Sequence, residues 1–492
     1  MPQNNTLNYY TPAYYKLTVV EYRATVSGMT AFVDRQQELR FLEEEFAQDR
    51  ASLVVLYGRR RIGKTTLIQH FIQDKPALYF VATEESEREN RRNFQQAVAA
   101  ATENWFLQKD ILLDWEEIFA VLVKHQPNTR MVIALDEFQY LGKTQSAFPS
   151  VLQKIWDRML AQANVMVILC GSLVGMMVEQ TLAYSSPLYG RRTGQIRLGP
   201  IAYSEYTAFF PPSTTINRIE HYAVTGGVPK YVELFPPTPD IFQAIKNTIL
   251  SKQSFLYEEP LFLLDKEFGE SGTYFSLLKT IAAGHRKLGK IASALGIGQS
   301  NLTRYLKTLQ DLDLIARDVP VTETQPQKSK KGLYRITDHF LAFWFCFVHP
   351  FRNSLEIENP APALRFLREQ FRPSHVSFVY EDICRQWLLR HGLAKAPHLS
   401  LLHAGRWWDK NTEIDIVGFS EDPAEMIVGE CKYLSRPVDT DVYLQLTRKA
   451  QLLPTPPKAT LQYVLFSQSG FTPALRDLAR EDPTLHLEAI SA

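Results

Sequence analysis

Residues 53–66 read LVVLYGRRRIGKTT, an apolar run followed by a basic loop that glycines bound on both sides. The apolar run predicts a buried strand, and the residues from Lys64 onward have the pattern of a helix. The loop matches GxxxxGK[ST], and its place between a strand and a helix is the context in which this pattern binds phosphate. Gly58 and Gly63 allow a tight turn whose N–H groups point at phosphate oxygens. The stretch predicts an α/β fold that binds a nucleoside triphosphate.

Two side chains at the end of this loop suit a bound triphosphate. Lys64 can reach the β- and γ-phosphates, and the Thr65 hydroxyl can ligate Mg²⁺. The N-terminus of the following helix adds partial positive charge. The alternative is a glycine turn between a core strand and a core helix. We expect ATP and Mg²⁺ as cofactors.

An acidic pair follows a second apolar run, MVIALDE at residues 131–137. A continuous apolar run is typical of a strand buried on both faces of a parallel sheet, and such sheets bind ligands at the carboxyl ends of their strands. Asp136 would hold Mg²⁺, and Glu137 would polarise the attacking water. The alternative for this pair is a helix-entry cap. The predicted cofactor-binding residues are Gly58, Arg59, Arg60, Arg61, Ile62, Gly63, Lys64, Thr65, Thr66 and Asp136.

The pattern from Phe32 to about Leu198 alternates strands with longer amphipathic stretches, which predicts a doubly wound parallel sheet. The predicted strands are 53–57, 77–82, 131–135, 165–170 and 195–198.

Three polar residues after the later strands are further candidates for ATP chemistry. Ser172 follows the strand at 165–170, where a small polar residue can hydrogen-bond the γ-phosphate or water, as sensor 1 does in AAA+ ATPases. Its alternative is a simple turn. Arg191 and Arg192 lie in the next loop and can stabilise the transferring phosphoryl group, from the same chain or from a neighbouring subunit. The alternative for both is a solvated or DNA-facing arginine pair.

Composition limits the class of protein. The chain has 492 residues, enough for about three domains, and its formal net charge of +1 gives no overall attraction to nucleic acid. Its four cysteines are scattered without CxxC spacing, which argues against structural zinc and disulfides and favours a reducing cytoplasm. The most apolar stretches, 165–178 and 340–351, are shorter than the ~20 residues that span a bilayer. We therefore expect a cytoplasmic protein without membrane partners.

The domain organisation follows from changes in pattern along the chain. Residues 1–28 are polar and aromatic with little helical period, and we expect a disordered leader or a start upstream of the true one at Met29. A docking arm is the alternative. The remaining predicted domains are a P-loop AAA-like ATPase domain at 29–200, a helical lid at 201–268, a winged helix at 269–345, a linker at 346–374 and a restriction-endonuclease-like domain at 375–492.

The predicted winged helix at 269–345 has helices from Thr273 onward, followed by a strand–loop–strand. In such modules the second helix enters a major groove and the wing lies on phosphates. DNA is therefore the predicted partner, and a protein contact is the alternative. The side chains placed to contact DNA are Gln299, Ser300, Asn301, Arg304 and Lys307, and the basic residues assigned to the wing are Lys328, Lys330, Lys331 and Arg335.

The C-terminal segment has the predicted order α-β-β-β-α-β, which resembles the restriction-endonuclease-like core. Asp415 and Glu430 would ligate Mg²⁺, and Lys432, two residues later on the same strand face, would orient or deprotonate the attacking water. Glu381 on the preceding helix is a further carboxylate, and Glu413 competes with Asp415 for this place. The alternative is a surface salt-bridge ladder in which Asp415 pairs with Lys432. The predicted metal ligands are Thr65, Asp136, Glu381, Asp415 and Glu430, and the predicted catalytic residues are Lys64, Glu137, Ser172, Arg191, Arg192 and Lys432.

Over residues 30–490 the chain resembles the prokaryotic ATPase family often called archaeal-type or DEXX-box ATPases. The matching motifs are FVDR at 32–35, YGRRRIGKT at 57–65, LDEFQY at 135–140, GS at 171–172, GGVP at 226–229, YRITD at 334–338, FWF at 343–345 and ECK at 430–432. This resemblance implies ATP and Mg²⁺ binding, a winged helix and a C-terminal domain of nuclease type. It does not specify the substrate.

The leading functional prediction is a magnesium-dependent ATPase that acts on DNA through the winged helix and a metal-dependent nuclease-like domain. The alternative is a nucleotide-dependent switch, a transcription or defence regulator whose C-terminal domain is inactive and serves dimerisation. A small-molecule kinase is disfavoured by the large helical extension. A homo-oligomer is expected if Arg191 or Arg192 acts across a subunit boundary.

Overall fold

The structure is a computed structural model that describes residues 34–490 except 105, 106, 108–110, 126, 127, 210–213, 236, 237, 239, 423 and 456–458. The predicted leader at 1–28 lies outside the described residues. The described chain divides into two compact units, the first over residues 35–199 and the second from Pro200 onward.

A five-stranded parallel sheet forms the centre of the first unit, in the order β2-β3-β4-β1-β5. Its strands are β1 (Ser52–Tyr57), β2 (Ala77–Val81), β3 (Met131–Asp136), β4 (Val165–Gly171) and β5 (Gly194–Arg197). The helices are α1 (Gln36–Phe46), α2 (Lys64–Ile72), α3 (Glu87–Ala101), α4 (Trp115–His125), α5 (Gln139–Thr144), α6 (Phe148–Arg158) and α7 (Val174–Met177). Every residue of β1 and β4 is buried, as helices on both faces of the sheet require. The predicted α/β fold is confirmed.

The strand order brings distant parts of the chain to one edge of the sheet. β4 lies between β1 and β3 and pairs with both in parallel, with Tyr57 opposite Gly171 and Leu135 opposite Leu169. The carboxyl ends of the three strands therefore lie side by side. The loop after β1, the acidic pair after β3 and Ser172 after β4 all begin at this edge.

The second unit begins with helices and continues into a helical module with a short hairpin. The first helices are α8 (Tyr203–Tyr206), α9 (Thr215–Thr225), α10 (Pro229–Leu234), α11 (Ile241–Thr248) and α12 (Phe255–Phe268). Residues 272–336, which we call the helix–hairpin module, contain α13 (Gly272–Ala282), α14 (Leu288–Leu295), α15 (Gln299–Asp311), β6 (Ile315–Asp318) and β7 (Leu333–Ile336). β6 and β7 pair antiparallel, with Ile315 opposite Ile336.

An aromatic helix, α16 (His339–Phe347), lies in the interior of the second unit. Phe340, Phe343 and Trp344 are buried, and the Trp344 indole donates a hydrogen bond to the Tyr257 carbonyl across 2.8 Å. Its apolar composition therefore serves the core of this unit. In the described part of the chain, none of the helices combines the length and apolarity needed to cross a bilayer.

Residues 346–374, predicted as a linker, are helical and packed. They include α17 (Arg352–Glu356), α18 (Ala361–Phe371) and the start of a π-helical turn at Arg372–Val376. Ala363, Leu367 and Phe371 repeat every four residues on α18, and all three are buried. This apolar period, which begins directly after the prolines at 360 and 362, makes the segment part of the core.

A second five-stranded sheet forms the C-terminal part of the second unit, in the order β12-β11-β10-β9-β8. β8–β9 and β9–β10 pair antiparallel, whereas β10–β11 and β11–β12 pair parallel. The elements are α19 (Ser377–His391), β8 (Leu401–Trp408), β9 (Glu413–Ser420), β10 (Glu425–Lys432), α20 (Thr440–Ala450), β11 (Thr460–Ser467), α21 (Pro473–Glu481) and β12 (Leu485–Glu488). The first six have the predicted order, and α21 and β12 extend it by one further helix and strand.

Candidate functional site

The loop between β1 and α2 depends on backbone conformations that favour glycine. Gly63 has φ 88° where α2 begins, in the left-handed region. Gly58 has φ 154°, and a Cβ added there would lie 2.3 Å from the Leu198 carbonyl oxygen. A side chain at position 58 would therefore displace the loop. The Arg35 guanidinium supports the same loop by donating to the Ile62 carbonyl across 3.1 Å.

Lys64 places a buried ammonium group in this loop. The residue is 6% exposed, and its Nζ donates to the Arg59 carbonyl across 2.9 Å. Burial lowers the pKa of Lys64, while the negative charges of nearby groups, Glu137 and Asp136 among them, oppose that shift. A partly dehydrated cation at the start of a helix is suited to an incoming polyphosphate.

The Asp136 carboxylate accepts hydrogen bonds from three parts of the fold. The Thr65 hydroxyl donates to Oδ2 across 2.8 Å, and the Tyr79 hydroxyl donates to the same oxygen across 2.6 Å. The Glu137 N–H donates to Oδ1 across 2.8 Å. Burial, and then the charge of Asp136, raise the pKa of Tyr79 well above its usual range, so this phenol stays a donor. Tyr79 was missed at the sequence level because a tyrosine in an apolar strand has no distinguishing signal.

Glu137 and Ser172 are brought together at the ends of β3 and β4. The Ser172 hydroxyl donates to Glu137 Oε2 across 2.7 Å, and the Gln139 amide nitrogen donates to the same oxygen. Glu137 itself has φ 53°, and the next N–H, that of Phe138, donates to the Cys170 carbonyl across 2.8 Å. The turn after β3 is thereby tied to β4, with the Glu137 carboxylate held against Ser172.

Arg191 and Arg192 contact side chains outside the predicted phosphate site. Arg191 binds the Asp157 carboxylate through Nε at 3.1 Å and through a terminal nitrogen at 2.9 Å. The Arg192 guanidinium lies over the Tyr189 ring, 5.0 Å from its centroid. Neither contact involves Lys64, Asp136 or Glu137. A role for either arginine in ATP chemistry stays a prediction.

The carboxylates predicted for the C-terminal domain occupy neighbouring strands. Ile416 on β9 pairs with Gly429 on β10, so Asp415 and Glu430 follow next in the antiparallel register. Asp415 Oδ2 accepts the Cys431 N–H across 2.9 Å. Burial and then the charge of Glu430 raise the pKa of Asp415 to about 6. On α19, burial and then the charge of Asp415 raise the pKa of Glu381 to about 8.

Side-chain cations bind these same carboxylates. Lys432 Nζ lies 2.7 Å from Glu430 Oε1, and Lys449 Nζ on α20 lies 3.0 Å from both Glu430 oxygens. Arg406 on β8 contacts Glu381 at 3.5 Å and also pairs with Glu413. The alternative ladder of Asp415 with Lys432 is therefore replaced by pairing of Lys432 with Glu430. Lys449 and Arg406 were missed because only the tertiary fold brings them here.

A preformed metal site is not seen in this region. Within the described ranges, no three side chains of histidine, cysteine, aspartate or glutamate are grouped closely enough to hold a metal ion. Glu381, Asp415 and Glu430 share one region but do not converge, and Glu430 is engaged by two ammonium groups. This arrangement does not fit a divalent ion as it stands. The Thr65–Asp136 pair does fit Mg²⁺, because that ion uses few protein oxygens and takes its remaining ligands from phosphate and water.

The helix–hairpin module presents the predicted DNA-contact residues to solvent. Leu302, Leu306 and Leu309 of α15 are buried. The exposed positions of this helix include Gln299, Ser300, Asn301, Arg304 and Lys307.

Arg335, which was assigned to the wing by sequence, has a structural role instead. It lies in β7, where it binds Asp318 across 2.8 Å and Asp382 across 3.2 Å. Two carboxylates on one guanidinium leave it unsuited to phosphate.

Comparison with known proteins places the chain in a family. Residues 32–235 match a family described as an ATPase domain predominantly from Archaea, and residues 344–442 match one described as archaeal and bacterial proteins of unknown function. Over 425 residues the chain is 32% identical to an uncharacterized protein of Methanocaldococcus jannaschii, covering 86% of this chain and 92% of that protein. The chain belongs to this family of archaeal-type ATPase-domain proteins.

Two further relatives are informative about parts of this ATPase-domain protein. It is 50% identical over 48 residues, 10% of its length, to an uncharacterized ATP-binding protein of M. jannaschii, of which the match covers 81%. A Walker-type ATPase of Pyrococcus abyssi superposes with a TM-score of 0.50 at 21% identity, covering 64% of this chain and 95% of that one. The second likeness concerns the fold alone.

Proposed function

We propose that this protein is a magnesium-dependent ATPase that binds and hydrolyses ATP at the loop after β1. The observation that carries the proposal is the 2.8 Å hydrogen bond from the Thr65 hydroxyl to Asp136, beside the buried Lys64. A hydroxyl and a carboxylate in contact at the carboxyl edge of a parallel sheet are the protein ligands that a nucleotide-bound Mg²⁺ uses.

Each residue of this edge has a distinct part in the proposed reaction. The N–H groups of residues 58–64 and the Lys64 ammonium bind and orient the phosphates, with Lys64 exchanging the Arg59 carbonyl for a phosphate oxygen. Thr65 and Asp136 hold Mg²⁺, with Tyr79 fixing the carboxylate. Bound Mg²⁺ supplies positive charge that stabilises the negative charge on the transferring phosphoryl group.

Glu137 is the proposed acceptor of the proton of the attacking water. Its carboxylate is anchored through Oε2 to Ser172 and Gln139. Both donors engage Oε2, which leaves the lone pairs of Oε1 for water. Ser172 thus acts on ATP through Glu137, in addition to any contact with the γ-phosphate.

The test is phosphate release from Mg-ATP by purified protein. We expect Lys64→Ala to lose ATP binding and turnover together, whereas Glu137→Gln keeps binding and loses at least 100-fold of kcat, a typical loss for an absent general base. The control is Lys143→Ala, an exposed lysine of α5 that pairs with Glu84 on the surface. Full turnover in Glu137→Gln would contradict the proposed role of this carboxylate.

We further propose that DNA is the partner of the helix–hairpin module. Support comes from the exposed polar face of α15, with Arg304 and Lys307 beside amide and hydroxyl side chains that suit base edges. ATP turnover measured with single-stranded, duplex and branched DNA tests this proposal. Stimulation by one form identifies the partner, and indifference to all forms points to protein.

Two functions remain candidates for the C-terminal sheet. The predicted nuclease draws support from Asp415 beside Glu430. It also draws support from Glu381, which lies near enough to Asp415 for the charge of Asp415 to raise its pKa. The regulator with an inactive domain draws support from Lys432 and Lys449, which occupy both oxygens of Glu430. DNA nicking with Mg²⁺ or Mn²⁺ that Asp415→Asn and Lys432→Met abolish, and the exposed Glu421→Gln does not, decides for the nuclease. Absence of nicking decides for the regulator.

A further inference from the structure

Gln139 is a buried amide directly after the acidic pair, at the first position of α5. It is 0% exposed, and its Nε2 donates to Glu137 Oε2 and lies 3.5 Å from the Ser172 hydroxyl. A fully buried amide is costly unless its hydrogen bonds are made. The hydrogen bond made here is to the carboxylate that the proposed hydrolysis requires.

The neighbouring strand leaves space for this amide. A Cβ added at Gly171, the last residue of β4, would lie 2.2 Å from Gln139 Oε1 and 2.3 Å from Met177 Sδ. Gly171 is not one of the described glycines with a positive φ, so no turn requires a glycine here. The lack of a side chain instead allows Gln139 to approach the strand closely. Among the residues that the structure describes, none forms a hydrogen bond with Gln139 Oε1. The position is therefore built around the amide nitrogen and its contact with Glu137.

We propose that Gln139 is a positioning residue that holds the Glu137 carboxylate for ATP hydrolysis, in a space that Gly171 provides. The proposal rests on the proposed ATPase function. A glutamate side chain has three rotatable bonds, and a donor on Oε2 restricts them to one orientation. Ser172 supplies a second donor to the same oxygen from β4. Together they keep one carboxylate oxygen anchored and the other available for water.

The test separates positioning of Glu137 from binding of ATP. Gln139→Met keeps the length of the side chain and removes its donor. We expect kcat to fall between 10- and 100-fold, the size of loss that a slightly misplaced catalytic group causes. KM and the Kd for Mg-ATP stay within about twofold, because Lys64, Thr65 and Asp136 are unchanged. Gly171→Ala, which pushes the amide away, shows the same split between kcat and KM.

Two controls accompany these variants. Gln162→Met changes an exposed glutamine of the same unit. Gly175→Ala adds a Cβ to α7 at a place where, apart from its chain neighbours and the backbone of its own helix, no atom of the described residues lies within 4 Å. Both keep wild-type kcat. If Gln139→Met does not fold, as judged by its thermal unfolding midpoint, Gln139→Glu keeps the shape and sets a second carboxylate against Glu137, and the same loss of kcat is expected.

Three results have distinct meanings. Wild-type kcat in Gln139→Met, with Glu137→Gln inactive, overturns this inference and leaves the proposed ATPase intact. A parallel loss of kcat and of ATP affinity also overturns it, because it shows a merely structural role. Full turnover in Glu137→Gln removes the proposed role of Glu137 and this inference with it, whereas an absence of ATP turnover in the wild type removes the proposed function itself.

Discussion

The Thr65 hydroxyl donates a hydrogen bond to Asp136 across 2.8 Å, although these residues are 71 positions apart in sequence. The contact joins the first turn of α2, which follows β1, to the end of β3. In the sheet, β4 lies between β1 and β3. The contact exists because parallel strands direct all of their carboxyl ends to one edge. The topology of the sheet therefore brings the two ligands proposed for Mg²⁺ together.

Thr65→Val tests this pair, because it keeps the shape of the side chain and removes the hydroxyl. We expect the Mg²⁺ concentration for half-maximal turnover to rise about tenfold, since one metal ligand, worth about 1.4 kcal/mol, is lost. Thr65→Ser keeps the hydroxyl and should restore most of the activity. An unchanged Mg²⁺ dependence in Thr65→Val would remove Thr65 from the metal site.

Tyr79→Phe removes the second donor to Asp136 Oδ2, which lies 2.6 Å away. The loss of one hydrogen bond to a charged group costs about 1.5–3 kcal/mol in the bound state, and we expect a kcat/KM for Mg-ATP about 10- to 100-fold lower. Tyr184→Phe, at a residue 88% exposed, is the matched control and should match wild type. The phosphate-release assay measures both, and equal values for the two variants would show that Tyr79 does not act on Asp136.

Much of the proposed ATP site at the carboxyl edge of the first sheet is predictable from sequence. The strand at 53–57 and the loop to Thr65 combine a buried apolar run with glycines that the turn requires, so pattern and chemistry agree. Tyr79 and Gln139 lack such a signal. Tyrosine favours strands in general, and a glutamine after an acidic pair becomes meaningful only when β4 brings Ser172 and Gly171 beside it.

The second unit shows where tertiary contacts override local pattern. Glu430 and Lys432 are recognisable as neighbours on one strand face, whereas Lys449 reaches Glu430 from α20, 19 residues later. Arg335 is basic, as a wing residue should be, but two partly buried carboxylates hold it. Such pairings depend on register and helix packing, which the sequence of one chain does not specify.

The raised pKa of Glu381, on the helix before the C-terminal sheet, predicts a pH dependence of stability. Glu381 has a pKa raised from 4.5 to about 8, so the folded state binds its proton over a range in which the unfolded state does not. The contribution of this proton to the free energy of unfolding is therefore complete below about pH 4.5. It decreases as the pH rises toward 8, by up to about 1.4 kcal/mol per pH unit. In EDTA, we expect the thermal unfolding midpoint of wild type to fall more between pH 5 and 8 than that of Glu381→Gln. Parallel pH curves would show that Glu381 titrates normally.

Arg304→Ala tests the DNA-facing surface of α15. We expect weaker binding to mixed-sequence duplex DNA and a slope of log Kd against log salt concentration reduced by about 1, as for one lost phosphate contact. Arg365→Ala, an exposed arginine of α18, should leave both unchanged. Fluorescence anisotropy across a salt series measures the two slopes. Identical slopes for Arg304→Ala and wild type would place DNA elsewhere or exclude it as the partner.

The most direct measurement is a crystal structure of the protein with Mg²⁺ and a non-hydrolysable ATP analogue. We expect the triphosphate against the N–H groups of residues 58–64, the Lys64 ammonium on its β- and γ-oxygens, and the metal about 2.1 Å from the Thr65 hydroxyl oxygen. Asp136 should face the metal and Glu137 the γ-phosphate. A nucleotide bound elsewhere, or a loop left empty at saturating analogue, would contradict the assignment of this edge as an ATPase site.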